Sequence, residues 1–178
     1  HASDFVYNTT HDKLGCWTTE YSRNFYEDNG FFLKKGGLEI CRKGDDARWE
    51  ELKRKVGSGK AFGTNVRLIS ASEAKEKFPL LDEESLMGAM WDPDAGLVIP
   101  RSQDVVSFAV ESAKDKGALK TFTDTPAIDF EVENGRVTGV KTDKGFIKTD
   151  KVVICSGIWG PLMGKKAGVP VPLMPLEH

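Results

Sequence analysis

The chain has 178 residues, of which 39% are hydrophobic and 29% charged, and a formal net charge of -2. That length supports one sizeable core or two small lobes, and the charge balance gives no electrostatic reason to expect nucleic acid, which favours clustered Lys/Arg. Three cysteines at wide, unpatterned spacings (Cys16, Cys41, Cys155) fit neither a disulfide framework nor a zinc site, and no apolar run approaches the ~20 residues of a bilayer span.

Leu14, Trp17, Tyr21 and Phe25 recur in steps of three and four, which predicts a helix over about 12–28, stopped by Asn29-Gly30. Phe31 to Cys41 reads as two short extended pieces around Gly36-Gly37. Asp45 or Asp46 caps a second helix with Trp49, Leu52 and Val56 on one face, and Gly57-Ser58-Gly59 weakens its end. Val66 to Ile69 is a short strand. Ser70 to Glu73 has the spacing of a capping box opening a brief helix before Pro79. Leu86 to Trp91 is a strand that ends in the turn Asp92-Pro-Asp-Ala-Gly96.

Ser102 is expected to cap a helix to about Lys116, with Val105, Val106, Ala109, Val110 and Ala113 as its buried stripe. The period then changes to two. Ile128, Phe130 and Val132 alternate with acidic residues, Asn134-Gly135 demands a tight hairpin, and Val137–Thr142 and Phe146–Thr149 complete a three-stranded meander. Lys151-Val-Val-Ile-Cys155 is continuously apolar after its first residue and reads as a strand covered on both faces. Pro161 suits the first turn of a closing helix to Ala167.

After that strand, Ser156, Gly157 and Gly160 place small residues together, leaving backbone open to a flat ligand. The helix that follows turns its N–H groups toward the same place. Such a turn also serves plain packing, and both readings stand on this pattern alone.

The string Arg136-Val-Thr-Gly-Val140, Thr142, Gly145 and Asp150-Lys-Val-Val-Ile-Cys-Ser-Gly-Ile-Trp159 resembles the D-amino-acid-oxidase-like FAD-dependent oxidoreductases. Gly36-Gly-Leu-Glu39, Pro79-Leu-Leu81, Asp94-Ala-Gly-Leu97 and Val171-Pro-Leu-Met-Pro-Leu176 extend the resemblance toward the branch of sarcosine and dimethylglycine dehydrogenases and oxidases. It implies an α+β fold. A mixed or antiparallel substrate-domain sheet with flanking helices (28–98) would be joined to a β-meander, buried strand and helix from a partial FAD-binding, Rossmann-like domain (101–168), with an N-terminal helical segment (1–27).

The resemblance further implies FAD as cofactor, held by Cys155, Ser156, Gly157 and Trp159 near the flavin and by the backbone of Ala127 near adenine. His1 matches the histidine that bonds covalently to flavin in several members, and His178 a histidine on the substrate side; the alternative for both is a tag or scar residue. Asp4 stands where the family usually has Gly. The implied substrate is a small N-methyl amine such as sarcosine or dimethylglycine, with a glycine- or proline-oxidising enzyme and a non-catalytic module as alternatives. In such enzymes tetrahydrofolate can accept the one-carbon unit in a separate domain.

Taken residue by residue, Ala127 can equally be an ordinary strand residue and Cys155 a structural thiol. Trp17, Trp49 and Trp91 read as core or edge packing, His11 as solvated, and Lys53-Arg-Lys55 as a solvated helix face. A glycine-rich dinucleotide fingerprint is absent from these residues. The expectation is therefore a segment of a longer enzyme, lacking its nucleotide-binding portion and inactive alone. A bacterial cytoplasm or a mitochondrial matrix is the expected compartment, with neither membrane nor nucleic acid as partner.

Overall fold

The computed structural model describes residues 3–174. The chain divides into two compact units, 1–119 and 120–178. The described residues form a mixed α/β structure with three small antiparallel sheets and five α-helices.

In the first unit, β1 (Phe5–Val6) and β2 (Phe32–Lys34) flank β6 (Gly96–Val98). A second sheet has β5 (Leu86–Asp92) at its centre, between β3 (Gly37–Arg42) and β4 (Arg67–Ile69). β5 is apolar nearly throughout because both its faces are covered. On one face, Met90 joins Cys41 and Val66 against Leu52 and Val56 of α2 (Asp46–Ala61), with Trp49 at the margin. On the other, Ala89 and Ile69 meet Ala74 of α3 (Ala71–Lys77), with Leu38, Leu81 and Trp91 around them. Asp45 caps α2 by accepting from Arg48 N at 3.0 Å. α2 runs on through Gly57 and Gly59, because Gly59 is buried where a Cβ would stand 2.6–2.7 Å from Thr64, Thr9 and Val66. Ser70 and Glu73 form the expected capping box.

Two helices depart from expectation in what they bury. α1 (Lys13–Asp28) is capped by Asp12 but buries Cys16, whereas Leu14, Trp17 and Tyr21 are 68%, 59% and 67% exposed. Trp17 is thus not a core residue; its ring stacks on Tyr21 at 5.6 Å. α4 (Ser102–Asp115) buries only Val105 of its predicted stripe, and Val106 is exposed. Its anchor is Phe108, whose ring lies 5.2 Å from Phe31 and 6.3 Å from Phe25. Ser102 is not the cap but the first helical residue. Its N–H and hydroxyl both donate to Asp4 Oδ1, the former at 3.0 Å, so a carboxylate 98 positions away serves the helix start. Asp4 has φ 59, a left-handed conformation that suits the glycine usual there.

In the second unit, β7 (Ala127–Glu133), β8 (Arg136–Thr142) and β9 (Gly145–Lys148) form the meander. Asn134 and Gly135 take the positive φ values, 52 and 76, of a type I′ hairpin. The segment Lys151–Cys155 is not the buried strand expected. No described strand pairs with it, and Val153 is 84% exposed. A two-sided strand needs neighbours to cover both faces, and the described residues supply none. α5 (Gly160–Lys166) follows a single 3-10 turn over Gly157–Trp159.

Leu52 is fully buried between α2 and the sheet. Leu52→Ala is expected to cost about 2–5 kcal/mol by urea unfolding, while Leu80→Ala, at a position 85% exposed, leaves the midpoint nearly unchanged. The side-chain and then the backbone hydrogen bonds from Ser102 hold the Asp4 carboxyl below its ordinary value of 3.8. Because the folded-state pKa is the lower one, this stabilisation is present above 3.8 and lost as pH falls through the folded value. The gap in urea midpoint between wild type and Asp4→Asn is therefore expected to be full at neutral pH and to close in acid.

Candidate functional site

Three of the residues picked out from sequence come together in the second unit. Ala127, Cys155 and Ser156 line one cleft of about 270 Å³, with Phe130, Val140, Val152–Ile154 and Met163 as apolar walls. The hairpin sets this geometry. β7 presents Ala127, paired with Thr142, and the extended segment after β9 passes across with its small residues. Ser156 accepts from Trp159 N at 3.1 Å through its carbonyl, closing the 3-10 turn. Its hydroxyl oxygen is buried and without a partner among the described residues. Gly157 has φ 55, and nothing lies within 4 Å of where its Cβ would be. Cys155 is an exposed free thiol. Gly157 and Trp159 do not line the cleft; Trp159 is 63% exposed. His1 and His178 lie outside the described residues.

These features fit a nucleotide cofactor. An apolar slot suits a flat ring, the open glycine leaves main chain uncovered, and the orphaned Ser156 hydroxyl has hydrogen-bonding capacity to spare. An adjacent cleft of about 460 Å³, also within the second unit, lies between the meander, Val152–Ile154 and the segment from Gly164 to Val171.

The first unit carries a cleft of about 620 Å³ that sequence reading did not find. Phe5, Tyr7, Leu38, Ile40 and Trp91 wall it, beside Gly36 and Gly37, and Lys35 and Lys77 also line it. The Phe5 and Tyr7 rings meet edge to face at 4.5 Å. The Lys77 ammonium stands 4.3 Å from the Trp91 ring centroid, so Trp91, expected as plain packing, has one face occupied by a cation. Burial, followed by the Glu39 carboxylate, pushes the Tyr7 phenol up, leaving it protonated and a donor at neutral pH. Lys55, expected as part of a solvated face, instead pairs with Glu39, lies 5.3 Å from the Tyr7 ring centroid, and is 12% exposed. Glu39 also accepts from Arg48 at 2.8 Å, joining β3 to α2. The buried Asp92 carboxylate accepts from Asn8 N at 3.0 Å and Asp94 N at 3.1 Å, fixing the segment that carries Phe5 and Tyr7 to the end of β5. The signal for this cleft lay in Gly36-Gly37. At Gly36, φ is 77 and a Cβ would stand inside the Trp91 ring; at Gly37 it would stand 2.7 Å from Phe5 Cζ.

A protein-family model described as "DAO: FAD dependent oxidoreductase" matches residues 7–178. Mitochondrial sarcosine dehydrogenase of Homo sapiens is 32% identical over 170 residues, covering 88% of this chain and 17% of that protein. The mitochondrial pyruvate dehydrogenase phosphatase regulatory subunit of Mus musculus is 27% identical over 177 residues, covering 97% and 20%. Among solved structures, L-proline dehydrogenase from P. horikoshii superposes with a TM-score of 0.77 at 34% identity, covering 91% of this chain and 43% of that one. The chain thus spans less than half the length of each of these relatives.

Gly36→Ala is expected to lower stability by about 1–3 kcal/mol, since it adds a Cβ at positive φ and displaces the Trp91 ring. Gly44→Ala shares the positive φ but meets open space, so it isolates the backbone strain from the ring clash in a parallel thermal unfolding series.

Proposed function

The chain belongs to the DAO family of FAD-dependent oxidoreductases, and on that premise we propose that it works in the oxidation of a secondary or tertiary amine, sarcosine or dimethylglycine, by removal of an N-methyl group. The observation that carries this reading is the convergence of Ala127, Cys155 and Ser156 on one apolar cleft beside the open Gly157, in a chain 32% identical to human sarcosine dehydrogenase.

When bound, FAD supplies the two-electron acceptor that takes a hydride equivalent from the N-methyl carbon and leaves an iminium. The residues of this chain bind and orient. Ala127 offers strand backbone to the adenine end. Ser156 and Gly157 offer main chain and a spare hydroxyl to the flavin end, with Cys155 and Trp159 flanking them. Phe130, Val140 and Val152 give the slot an apolar lining. His1 is proposed as a covalent flavin link and His178 as a substrate-side residue, on their resemblance to the family motifs alone, with a tag or scar origin as the alternative for both. Residues 28–98 are assigned to the substrate-binding portion and 101–168 to the FAD-binding portion. Tetrahydrofolate as one-carbon acceptor belongs to a separate domain, and a bacterial cytoplasm or mitochondrial matrix suits the reading.

These residues contain no glycine-rich dinucleotide fingerprint, so the pyrophosphate of FAD is proposed to be held by chain outside them. Two other readings have support. Proline oxidation is favoured by the likeness to L-proline dehydrogenase, and a non-catalytic module by the likeness to the phosphatase regulatory subunit.

Purified and mixed with FAD, the 178-residue chain is expected to emerge from gel filtration without stoichiometric flavin absorbance, and stoichiometric retention contradicts the missing-segment reading. For a longer protein carrying this sequence and loaded with FAD, dye reduction is expected with sarcosine or dimethylglycine at kcat/KM at least about tenfold above proline and glycine. A preference for proline or glycine reassigns the substrate, and bound flavin without turnover on any of the four favours the module.

A further inference from the structure

We propose that the exposed face of α1 is the surface at which two copies of this chain pair, helix against helix and antiparallel. Leu14, Trp17, Tyr21 and Phe25 recur along α1 in steps of three and four, so they form one stripe. Leu14, Trp17 and Tyr21 are each more than half exposed, and Phe25 more than a third. The stripe is ordered before any partner arrives. Trp17 stacks on Tyr21 at 5.6 Å with 29° between the ring planes, and Phe108 steadies Phe25 from the inner side at 6.3 Å. Side chains already held in place lose little freedom on docking.

The charges of α1 name the partner. A helix favours acids in its first turn and bases in its last. α1 has neither: Lys13 opens it, and Glu27-Asp28 closes it. Glu27 pairs with Arg23, but neither Lys13 nor Asp28 forms an ion pair among the described residues. A second α1 laid antiparallel supplies what each end lacks. With Tyr21 near the two-fold axis, Trp17 meets the partner's Phe25, and Lys13 faces the partner's Asp28 at both ends, about 22 Å apart along the helix. At roughly 200 Å² for a fully exposed side chain of this size, the four stripe residues leave about 450 Å² uncovered. Two stripes cover about 900 Å², and the exposed Lys13, Glu20, Asn24 and Asp28 around them carry the total past the ~1,000 Å² of a specific interface. The stripe lines neither candidate cleft, so the inference does not rest on the proposed amine oxidation.

The test is sedimentation equilibrium of the 178-residue chain over micromolar concentrations at low salt. A reversible monomer–dimer equilibrium is expected. Tyr21→Glu brings two carboxylates together at the axis and should be monomeric throughout, with unchanged far-UV circular dichroism. Lys13→Glu and Asp28→Lys each set like charges opposite one another and should weaken pairing about fivefold, while the double reversal restores it. Leu80→Glu, at an exposed apolar position off this face, should leave pairing unchanged. A chain that stays monomeric overturns the proposal, as does undiminished pairing in Tyr21→Glu or a double reversal no tighter than the single ones. A longer protein with this sequence that remains monomeric where the 178-residue chain pairs shows the face covered by another part of its own chain, and also overturns it.

Discussion

A flat ring can rest on main chain only where no side chain intervenes, and this constraint recurs through the molecule. The Trp91 ring lies on Gly36, Phe5 on Gly37, and in the meander Phe146 on Gly139. Each contact places a large apolar face against a strand or turn that would otherwise leave its backbone uncovered. The first two do more than fill space. Phe5 belongs to β1 and Gly37 to β3, so one ring ties together the two sheets of the first unit. Trp91 comes from β5, whose other residues reach into both cores and whose terminal Asp92 fixes the Asn8 segment.

Much of the local structure was legible in the sequence because its causes are local. The Ser70–Glu73 capping box, the Asn134-Gly135 hairpin and the strand from Leu86 that ends in the Asp92–Gly96 turn each follow from residues within one element. What failed was whatever depends on a distant partner. Periodicity identifies the apolar face of α1 and α4 but not what covers it, and Trp17, Tyr21 and Val106 are exposed. The start of α4 is satisfied by Asp4 rather than by its own serine. Lys151–Cys155 has a composition suited to a central strand, yet strand formation requires neighbours, and none is among the described residues.

The candidate sites divide the same way. Small residues at Ser156 and Gly157 announced an uncovered backbone, and the meander brought Ala127 into the same cleft as Cys155 and Ser156. The cleft of Phe5, Tyr7, Lys77 and Trp91 was invisible, because its walls come from β1, β3, β5 and the end of α3. Only the paired glycines hinted at it, and a Gly-Gly step reads as a turn until the ring above it is known. Tyr7 illustrates the difficulty: its environment is set by Lys55 and Glu39, which reach it from α2 and β3.

The chain belongs to the DAO family, and the second unit's bare backbone is proposed as the place where its cofactor rests. The most direct measurement is a crystal structure of the FAD-loaded protein that carries this sequence. The account predicts cofactor atoms in van der Waals contact with the main chain of Ser156 and Gly157 and with Ala127, and Val152–Ile154 paired on both sides as a strand. FAD bound elsewhere, with side chains packed over Ser156 and Gly157, would contradict it.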